Sequence, residues 1–381
     1  MGFVDTATLQ QMLDEGSKMP VDRIEGILAK AEKARGLEPW EAAALIQVSD
    51  PQLTARMYET ARIVKERIYG KRIVLFAPLY ISNYCVNNCR YCGYRHSNGI
   101  PRRRLAMDEI RGEVEALEQM GHKRIALETG EDPVNCPLDY VLEALGVIYS
   151  VKSKNGEIRR VNVNIAALDE EGYRKLKKAG IGTYVLFQET YHRPTYALMH
   201  PSGPKRDYDW HLYAMDRAMR AGIDDVGLGV LYGLYDWKLE TLALLYHAEH
   251  LEKTFGVGPH TISVPRLRQA TGMSLADYPH LVDDDSFRKL VAVLRLAVPY
   301  TGLILSTRER AGFRDEVIRY GISQISAGSR TGVGGYREGE ELDQFAVDDH
   351  RTPNEILLSL CESGQLPSYC TACYRQGRTG D

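Results

Sequence analysis

The sequence predicts an α/β protein in which a TIM-type (β/α)8 barrel follows an N-terminal helical segment. From about residue 72 onward, short apolar runs alternate with helical stretches, and uninterrupted apolar runs are typical of strands buried on both faces. Strands that alternate with helices favour a parallel sheet, and eight such units favour closure into a barrel. An open, doubly wound sheet is the alternative. The predicted strands are residues 73–81, 124–128, 160–165, 183–187, 225–231, 260–264, 302–306 and 321–326.

The helical elements are indicated by caps and by apolar periodicity. Pro39 marks the start of one helix in the N-terminal segment, because proline is favoured in the first helical turn. Between the first two strands, Met107, Ile110, Val114 and Leu117 form one apolar stripe at helical spacing. We therefore expect a helical segment over residues 1–70 and the barrel over 71–330. A C-terminal extension over 331–381 contains a glycine-rich loop, a closing helix and a second group of cysteines.

The composition is that of an ordinary soluble protein. The 381 residues carry a net charge of −3, so the chain has no basic excess with which to neutralise nucleic-acid phosphates or an anionic membrane. No apolar run approaches the ~20 residues of a membrane helix, and no signal peptide is evident at the start. Seven cysteines, five of them in two tight groups, fit metal ligation in a reducing cytoplasm. We expect a cytoplasmic protein.

The most informative motif is a CX3CX2C group formed by Cys85, Cys89 and Cys92, on the loop after the first predicted strand. Three thiolates on one loop bind three corners of a 4Fe-4S cube and leave the fourth iron without a protein ligand. Zinc is disfavoured because no further Cys or His pair at finger spacing follows to complete a tetrahedron. A disulfide framework is disfavoured because it requires an even number of cysteines and an oxidising compartment. The motif indicates a cluster with an open iron.

Polar residues follow the predicted strands, as a barrel with its chemistry at the carboxyl ends of the strands requires. A single buried acid or histidine is more often structural than functional, but repetition at one end of seven strands favours a site. The polar groups at these strands are the cysteine loop after the first strand, 128–131, Asn162 and Asn164, 188–189, 260–266, 306–308 and 326–329.

The cysteine spacing resembles that of the radical S-adenosylmethionine (SAM) enzymes, in which the amine and carboxylate of SAM take the open iron. Thr129, Gly130 and Glu131 resemble the Gly-Gly-Glu stretch by which these enzymes reach the SAM amine, although Glu131 is alternatively a cap for the segment that follows. Asn164 and Glu189 are acceptors suited to the ribose diol. Tyr91 places its backbone near the adenine.

A substrate carboxylate at this face requires an arginine, whose planar fork donates two parallel hydrogen bonds. Arg308 is the first candidate, with Ser326 and Ser329 nearby. Arg266 and Arg268 are alternatives, and any of these arginines is equally compatible with a structural ion pair.

His260 opens the predicted sixth strand and is either a core residue or a metal ligand that would need iron or zinc above it in the barrel mouth. The second cysteine group, Cys370 and Cys373, has CX2C spacing, which is compatible with a redox dithiol, half a zinc site or part of a second Fe-S cluster. The redox alternative is weak because no thioredoxin-type strand–helix unit precedes the pair.

Residues 77–98 are similar to the aromatic-amino-acid lyases of the radical SAM superfamily, and the chain most resembles the tyrosine lyases that mature FeFe-hydrogenase. The resemblance covers residues 20–381. The supporting runs are residues 131–137, 187–196, 258–266, 325–329 and 369–375.

The resemblance implies that a radical takes hydrogen from the amine of L-tyrosine, and that Cα–Cβ cleavage gives p-cresol and dehydroglycine. Dehydroglycine becomes CO and cyanide at a second cluster, whose extra iron is held by a free cysteine molecule and by His260. Cys370 and Cys373 supply only two of the three thiolates of that cluster. We expect this chain to hold one stable cluster, to make p-cresol and to make little CO.

The resemblance also implies partners, namely a reductant such as a ferredoxin or flavodoxin and the other hydrogenase maturases. Two alternatives remain open. The tyrosine lyase of thiamine thiazole biosynthesis shares the barrel and the cleavage but lacks the CO-forming site. A non-radical Fe-S binding or scaffold protein has no need for SAM-binding residues around the open iron.

Overall fold

The barrel is closed by its first strand, which pairs in parallel with both the second and the eighth. The computed structural model describes residues 3–337, 339 and 343–369. The predicted (β/α)8 barrel is therefore confirmed, and the open-sheet alternative is wrong. The strands are β1 (Arg72–Ser82), β2 (Arg124–Thr129), β3 (Arg160–Asn164), β4 (Tyr184–Val185), β5 (Val226–Gly229), β6 (Thr261–Ser263), β7 (Gly302–Leu305), β8 (Gln324–Ser326) and β9 (Leu366–Ser368).

The helices surround the barrel and precede it. Four of them come before β1, and most of the others lie between successive strands. They are α1 (Thr6–Gly16), α2 (Val21–Ala31), α3 (Pro39–Gln47), α4 (Pro51–Tyr69), α5 (Met107–Gln119), α6 (Leu138–Ser150), α7 (Glu170–Lys178), α8 (Arg193–Met199), α9 (Tyr208–Leu212), α10 (Ala214–Arg220), α11 (Trp237–Phe255), α12 (Asp284–Ala297), α13 (Ala311–Val317) and α14 (Pro353–Glu362).

The N-terminal helices cover one side of the barrel. Helix α1 packs against α3 and α11, and α4 packs against α12. Asp50 caps α4 by accepting a hydrogen bond from the backbone N–H of Leu53 at 2.9 Å, and Pro51 follows it in the first turn. These helices contribute buried residues such as Leu9 and Leu45 to the same hydrophobic core as the barrel. In the part of the chain that the structure describes, no helix is long and apolar enough to span a membrane.

Strands β4, β5 and β6 are shorter than predicted, and β4 (Tyr184–Val185) has two of the five residues expected. Two further features of the sheet differ from the sequence-based expectation. β8 begins at Gln324 rather than at residue 321, because the carbonyl of Gly321 accepts hydrogen bonds from the guanidinium of Arg295 at 2.9 and 2.7 Å. The ninth strand was not predicted, since it is three residues long and contains Pro367. It pairs with the first residues of β1, at the amino-terminal end of the barrel.

Candidate active site

A cavity opens at the carboxyl ends of the barrel strands, and most of the predicted site residues line it. It brings together side chains from the loop after β1, from the ends of β2, β3, β4 and β7, and from the segment after β8. The predicted residues that line it are Cys85, Cys89, Tyr91, Cys92, Thr129, Gly130, Glu131, Asn164, Glu189, Arg308, Ser326 and Ser329.

The cysteine loop is held against the end of β2 by close backbone contacts. The N–H of Val86 donates to the carbonyl of Glu131 at 2.8 Å, and the N–H of Gly130 donates to the carbonyl of Ser82 at 3.0 Å. A Cβ atom on Gly130 would lie 2.2 Å from the carbonyl oxygen of Tyr84, so only glycine fits there. The glycine of the predicted SAM-binding stretch therefore also has a structural role, because it lets the cysteine loop approach β2.

Asn87, which sequence reasoning missed, connects the cysteine loop to two other segments. Its Nδ2 donates to Oε2 of Glu131 at 2.5 Å, and its Oδ1 accepts from the backbone N–H of Lys205 at 2.9 Å. The turn after β2 is capped by Asp132, whose Oδ1 accepts from the N–H groups of Val134 and Asn135. The alternative role of Glu131 as a cap for that turn is therefore wrong, and its carboxylate lies in the cavity instead.

The three thiols suit a cluster better than a single ion. Among the described residues, no three His, Cys, Asp or Glu side chains converge closely enough to hold one metal ion. A 4Fe-4S cube has a different requirement, because each thiolate binds a separate iron and the sulfurs stand apart. Burial raises the pKa of the Cys92 thiol to about 11, so bound iron is needed to hold it as a thiolate. Gln344 also contacts this thiol, with Nε2 3.6 Å from Sγ.

Lys205 is a second residue that sequence reasoning missed, and it places a buried cation beside the cysteines. Its Nζ forms an ion pair with Oε1 of Glu189 at 2.7 Å and lies 5.8 Å from the centre of the Tyr91 ring. Glu189 has a positive φ of 67°, which is uncommon for a residue other than glycine and is often found at functional sites. No signal in the sequence pairs the two, because Lys205 lies in a single 3-10 turn (Pro204–Arg206) between α8 and α9.

Tyr91 is fixed by its side chain as well as by its loop. Its hydroxyl lies 2.8 Å from Nε2 of His200, and the two rings meet edge to face. Burial lowers the pKa of His200 strongly, so this imidazole is neutral and the pair carries no charge. The contact holds the peptide after Cys89 in one orientation at the cavity wall.

The structure distinguishes between the three candidate arginines. Arg266 and Arg268 both form ion pairs with the buried carboxylate of Glu309. Arg308 lines the cavity, stacks over the Phe345 ring at 3.4 Å and has no ion-pair partner among the residues that the structure describes. A guanidinium that is partly withdrawn from water and has no counter-ion gains from binding an anion, so a bound carboxylate is a suitable partner.

Two serines lie on the same side of the cavity as expected. Oγ of Ser326 accepts a hydrogen bond from the backbone N–H of Thr307 at 3.1 Å, next to Arg308. Oγ of Ser329 is buried and has no hydrogen-bond partner within the described part of the chain. An unsatisfied buried hydroxyl that lines the same cavity as an arginine without an ion-pair partner is well suited to bind a carboxylate.

Glu128 lines the cavity too, and sequence reasoning gave it no role. It pairs in register with Asn164 on β3 and is hydrogen-bonded to the Asn164 side chain. Burial raises the pKa of this carboxyl to about 8, against the opposing effects of Asn164 and Arg308. The alternation of side chains along β2 directs residues 126 and 128 into the barrel, and that pattern is the signal that could have identified it.

His260 does not lie in the barrel mouth, so that expectation is wrong. It immediately precedes β6 and therefore lies at the amino-terminal end of the barrel. The length of the strand separates it from the cavity at the carboxyl end. Its Nδ1 lies 3.6 Å from Oδ1 of Asp225, which precedes β5 at the same end. Cys370 and Cys373 lie outside the described residues. The extra-iron role of His260 stays a prediction.

Comparison with known proteins gives two family matches. Residues 79–247 match the Radical SAM superfamily, and residues 263–365 match the Biotin and Thiamin Synthesis associated domain. A 2-iminoacetate synthase of Salmonella typhimurium is 35% identical over 308 residues, which cover 80% of this chain and 79% of that protein.

Solved structures extend the similarity to the full chain. A crystal structure of HydG, a maturase of the [FeFe]-hydrogenase, is 65% identical with a TM-score of 0.97 and covers 100% of this chain and 83% of that one. The chain belongs to the HydG family of radical SAM enzymes. HydG from Carboxydothermus hydrogenoformans is 45% identical with a TM-score of 0.87, covering 97% of this chain and 85% of that one. The scaffold and thiazole-pathway alternatives are not favoured by these matches.

Proposed function

We propose that this protein is a radical SAM carbon–carbon lyase that cleaves L-tyrosine to p-cresol and dehydroglycine. The observation that carries the proposal is one cavity that contains both the three motif cysteines and a partly buried arginine without an ion-pair partner among the described residues. A cluster site alone would suit a scaffold protein. A cluster site that shares its cavity with a carboxylate-binding arginine suits an enzyme whose substrate is an amino acid.

The residues present fit both cofactors. Cys85, Cys89 and Cys92 would hold a 4Fe-4S cluster, and Glu131, on the wall next to the cysteine loop, would meet the amine of SAM. When bound together, the cluster and SAM supply a 5'-deoxyadenosyl radical that removes a hydrogen atom from the substrate. Thr129, Gly130, Asn164, Glu189 and the backbone of Tyr91 are proposed to contact the rest of SAM, and the ion pair with Lys205 holds the Glu189 side chain in place.

L-Tyrosine is proposed to bind through its carboxylate to Arg308, with hydrogen bonds from Ser326 and Ser329. The stacking of Arg308 on Phe345 fixes the plane of the guanidinium, which favours a two-point contact. Cα–Cβ cleavage of an amino acid held in this way separates the phenol-bearing half from the half that stays on the arginine.

We further propose that the dehydroglycine leads to CO and cyanide for the hydrogenase H-cluster. The second Fe-S cluster, with Cys370 and Cys373 among its ligands and an extra iron on His260 and a free cysteine molecule, belongs to this proposal. Because Cys370 and Cys373 are two of its three thiolates, one stable cluster and little CO remain the prediction for these 381 residues. A ferredoxin or flavodoxin is the proposed electron donor, and the other hydrogenase maturases are the proposed partners. His260 and β9 both lie at the amino-terminal end of the barrel, opposite the cavity that holds the three motif cysteines.

The test is an anaerobic assay of the reconstituted protein with SAM, dithionite and L-tyrosine. We expect tyrosine-dependent p-cresol and release of 5'-deoxyadenosine. Replacement of Cys85, Cys89 and Cys92 together by alanine should abolish both, because the iron that binds SAM is lost. Release of 5'-deoxyadenosine by the triple variant would refute the cluster assignment, and absence of p-cresol from the intact protein would refute the lyase.

A further inference from the structure

Glu128 and Arg308 are two ionisable side chains of opposite type that line the same cavity without pairing with each other. Arg308 is close enough for its charge to act on Glu128, yet no ion pair joins them in the described part of the chain. The hydrogen bond of Glu128 is to the neutral amide of Asn164. A space bounded by a guanidinium and a carboxyl group matches the two charged ends of an α-amino acid.

We propose that Glu128 receives the α-amino group of the substrate while Arg308 holds its carboxylate, and that Glu128 takes a proton from the bound ammonium. This inference rests on the proposed function. At neutral pH the Glu128 carboxyl gives its own proton to the solvent as the ammonium enters; an N–H bond of the ammonium then breaks and an O–H bond forms on the Glu128 carboxylate. The products are a neutral amine, a neutral carboxylic acid and one proton taken up by the buffer, so charge and protons balance.

The proton transfer has a chemical purpose in the proposed reaction. The hydrogen atom removed by the radical comes from the substrate nitrogen. Removal of a hydrogen atom from an ammonium would leave a cationic nitrogen radical, whereas removal from an amine leaves a neutral one. A residue that keeps the amine neutral therefore favours the reactive form of the substrate.

Of Glu128 and the ionisable side chains that act on it, only Glu128 changes its protonation state near neutral pH. Tyr80 on β1 and Tyr94 on the cysteine loop both interact with its charge, and burial raises the pKa of each phenol well above its ordinary value. Both phenols therefore stay protonated, and Arg308 stays cationic. Burial raises the pKa of Glu128 to about 8, which approaches the range of an α-ammonium and allows proton exchange between the two.

The experiment is calorimetric binding of L-tyrosine to the reconstituted protein with SAM present and reductant absent, so that no turnover occurs. Titration at pH 7 in buffers of different ionisation enthalpy gives the number of protons released. The wild-type protein should release close to one proton, because Glu128 and the substrate ammonium together hold two protons before binding and one afterwards. Glu128→Gln should release none and should bind L-tyrosine about tenfold more weakly or worse.

A ligand without the amine separates this inference from the proposed function. 3-(4-Hydroxyphenyl)propanoate keeps the carboxylate and the phenol, so Glu128→Gln should change its affinity by less than about twofold, whereas Arg308→Lys should weaken both ligands. Glutamine has the shape of the protonated acid and keeps a hydrogen-bonding group for Asn164, so the variant should fold. Equal effects of Glu128→Gln on both ligands, or unchanged proton release, would overturn the inference. Failure of the wild-type protein to bind L-tyrosine would instead overturn the proposed function.

Discussion

Replacement of Gly130 by alanine should weaken cluster binding, although the residue carries no chemistry of its own. The added Cβ would lie 2.2 Å from the carbonyl oxygen of Tyr84 and 3.1 Å from Cβ of Cys85. An ordinary contact needs about 3.4 Å, so the cysteine loop must retreat by roughly 1.2 Å from β2. Overpacking of this kind costs about 1–3 kcal/mol, and here it acts on the backbone next to the first cluster ligand.

The assay is iron content and the visible absorption of the cluster after anaerobic reconstitution, together with the urea midpoint of unfolding. Gly130→Ala should bind less iron than the wild-type protein and unfold at lower urea. Gly146→Ala is the matched control, because Gly146 is an exposed position within α6 with no atom within 4 Å of an added Cβ. The same methyl group should stabilise there by about 0.5–1 kcal/mol. Full iron content and an unchanged midpoint in Gly130→Ala would refute the reasoning.

Three further predictions concern charged groups in the cavity. Arg308→Lys should raise the KM for L-tyrosine although charge is kept, because an ammonium cannot form the two-point contact; an unchanged KM in the p-cresol assay would remove Arg308 from the site. Lys205→Met should lower the free energy of unfolding by about 3 kcal/mol, since it leaves the carboxylate of Glu189 buried without its cation. Addition of Glu189→Gln should recover part of this loss, and a double variant no more stable than the single one would contradict the pairing. Glu128→Gln should become more stable relative to the wild-type protein as the pH rises from 5 to 8. Because the pKa of Glu128 is raised to about 8 in the folded protein, the unfolded chain loses this proton at lower pH than the folded one, and the stability of the wild-type protein falls as the pH rises through this range. An equal difference in urea midpoint between the two proteins at pH 5 and pH 8 would contradict this prediction.

Sequence reasoning identified residues that stand next to each other in the chain or recur with strand and helix periodicity. The three cysteines lie within one loop, so their spacing alone indicates a cluster. The polar residues after the strands were assigned to one face because parallel strands all end at the same edge. Arg308, Ser326 and Ser329 follow the last two strands and do line the same cavity as the cysteines.

Contacts between side chains that lie far apart in the chain could not be predicted from spacing or periodicity. Nothing in the sequence separates Arg266 and Arg268 from Arg308, because the difference lies in Glu309, whose carboxylate binds the first two. Lys205 and Glu189 are 16 positions apart in irregular segments, and no periodicity relates them.

Strand alternation and local motif spacing are properties of neighbouring residues, so the barrel, the cysteine loop and the end of the barrel that carries the cavity could be predicted from the chain alone. The charges left unpaired in the cavity among the described residues, and the position of His260 at the opposite end of the barrel from the cysteines, could not be predicted in this way. Ionisation and pairing depend on burial and on partners that folding brings close. A side chain such as Glu128 acquires its raised pKa only once β2, β3 and the segment after β7 enclose it.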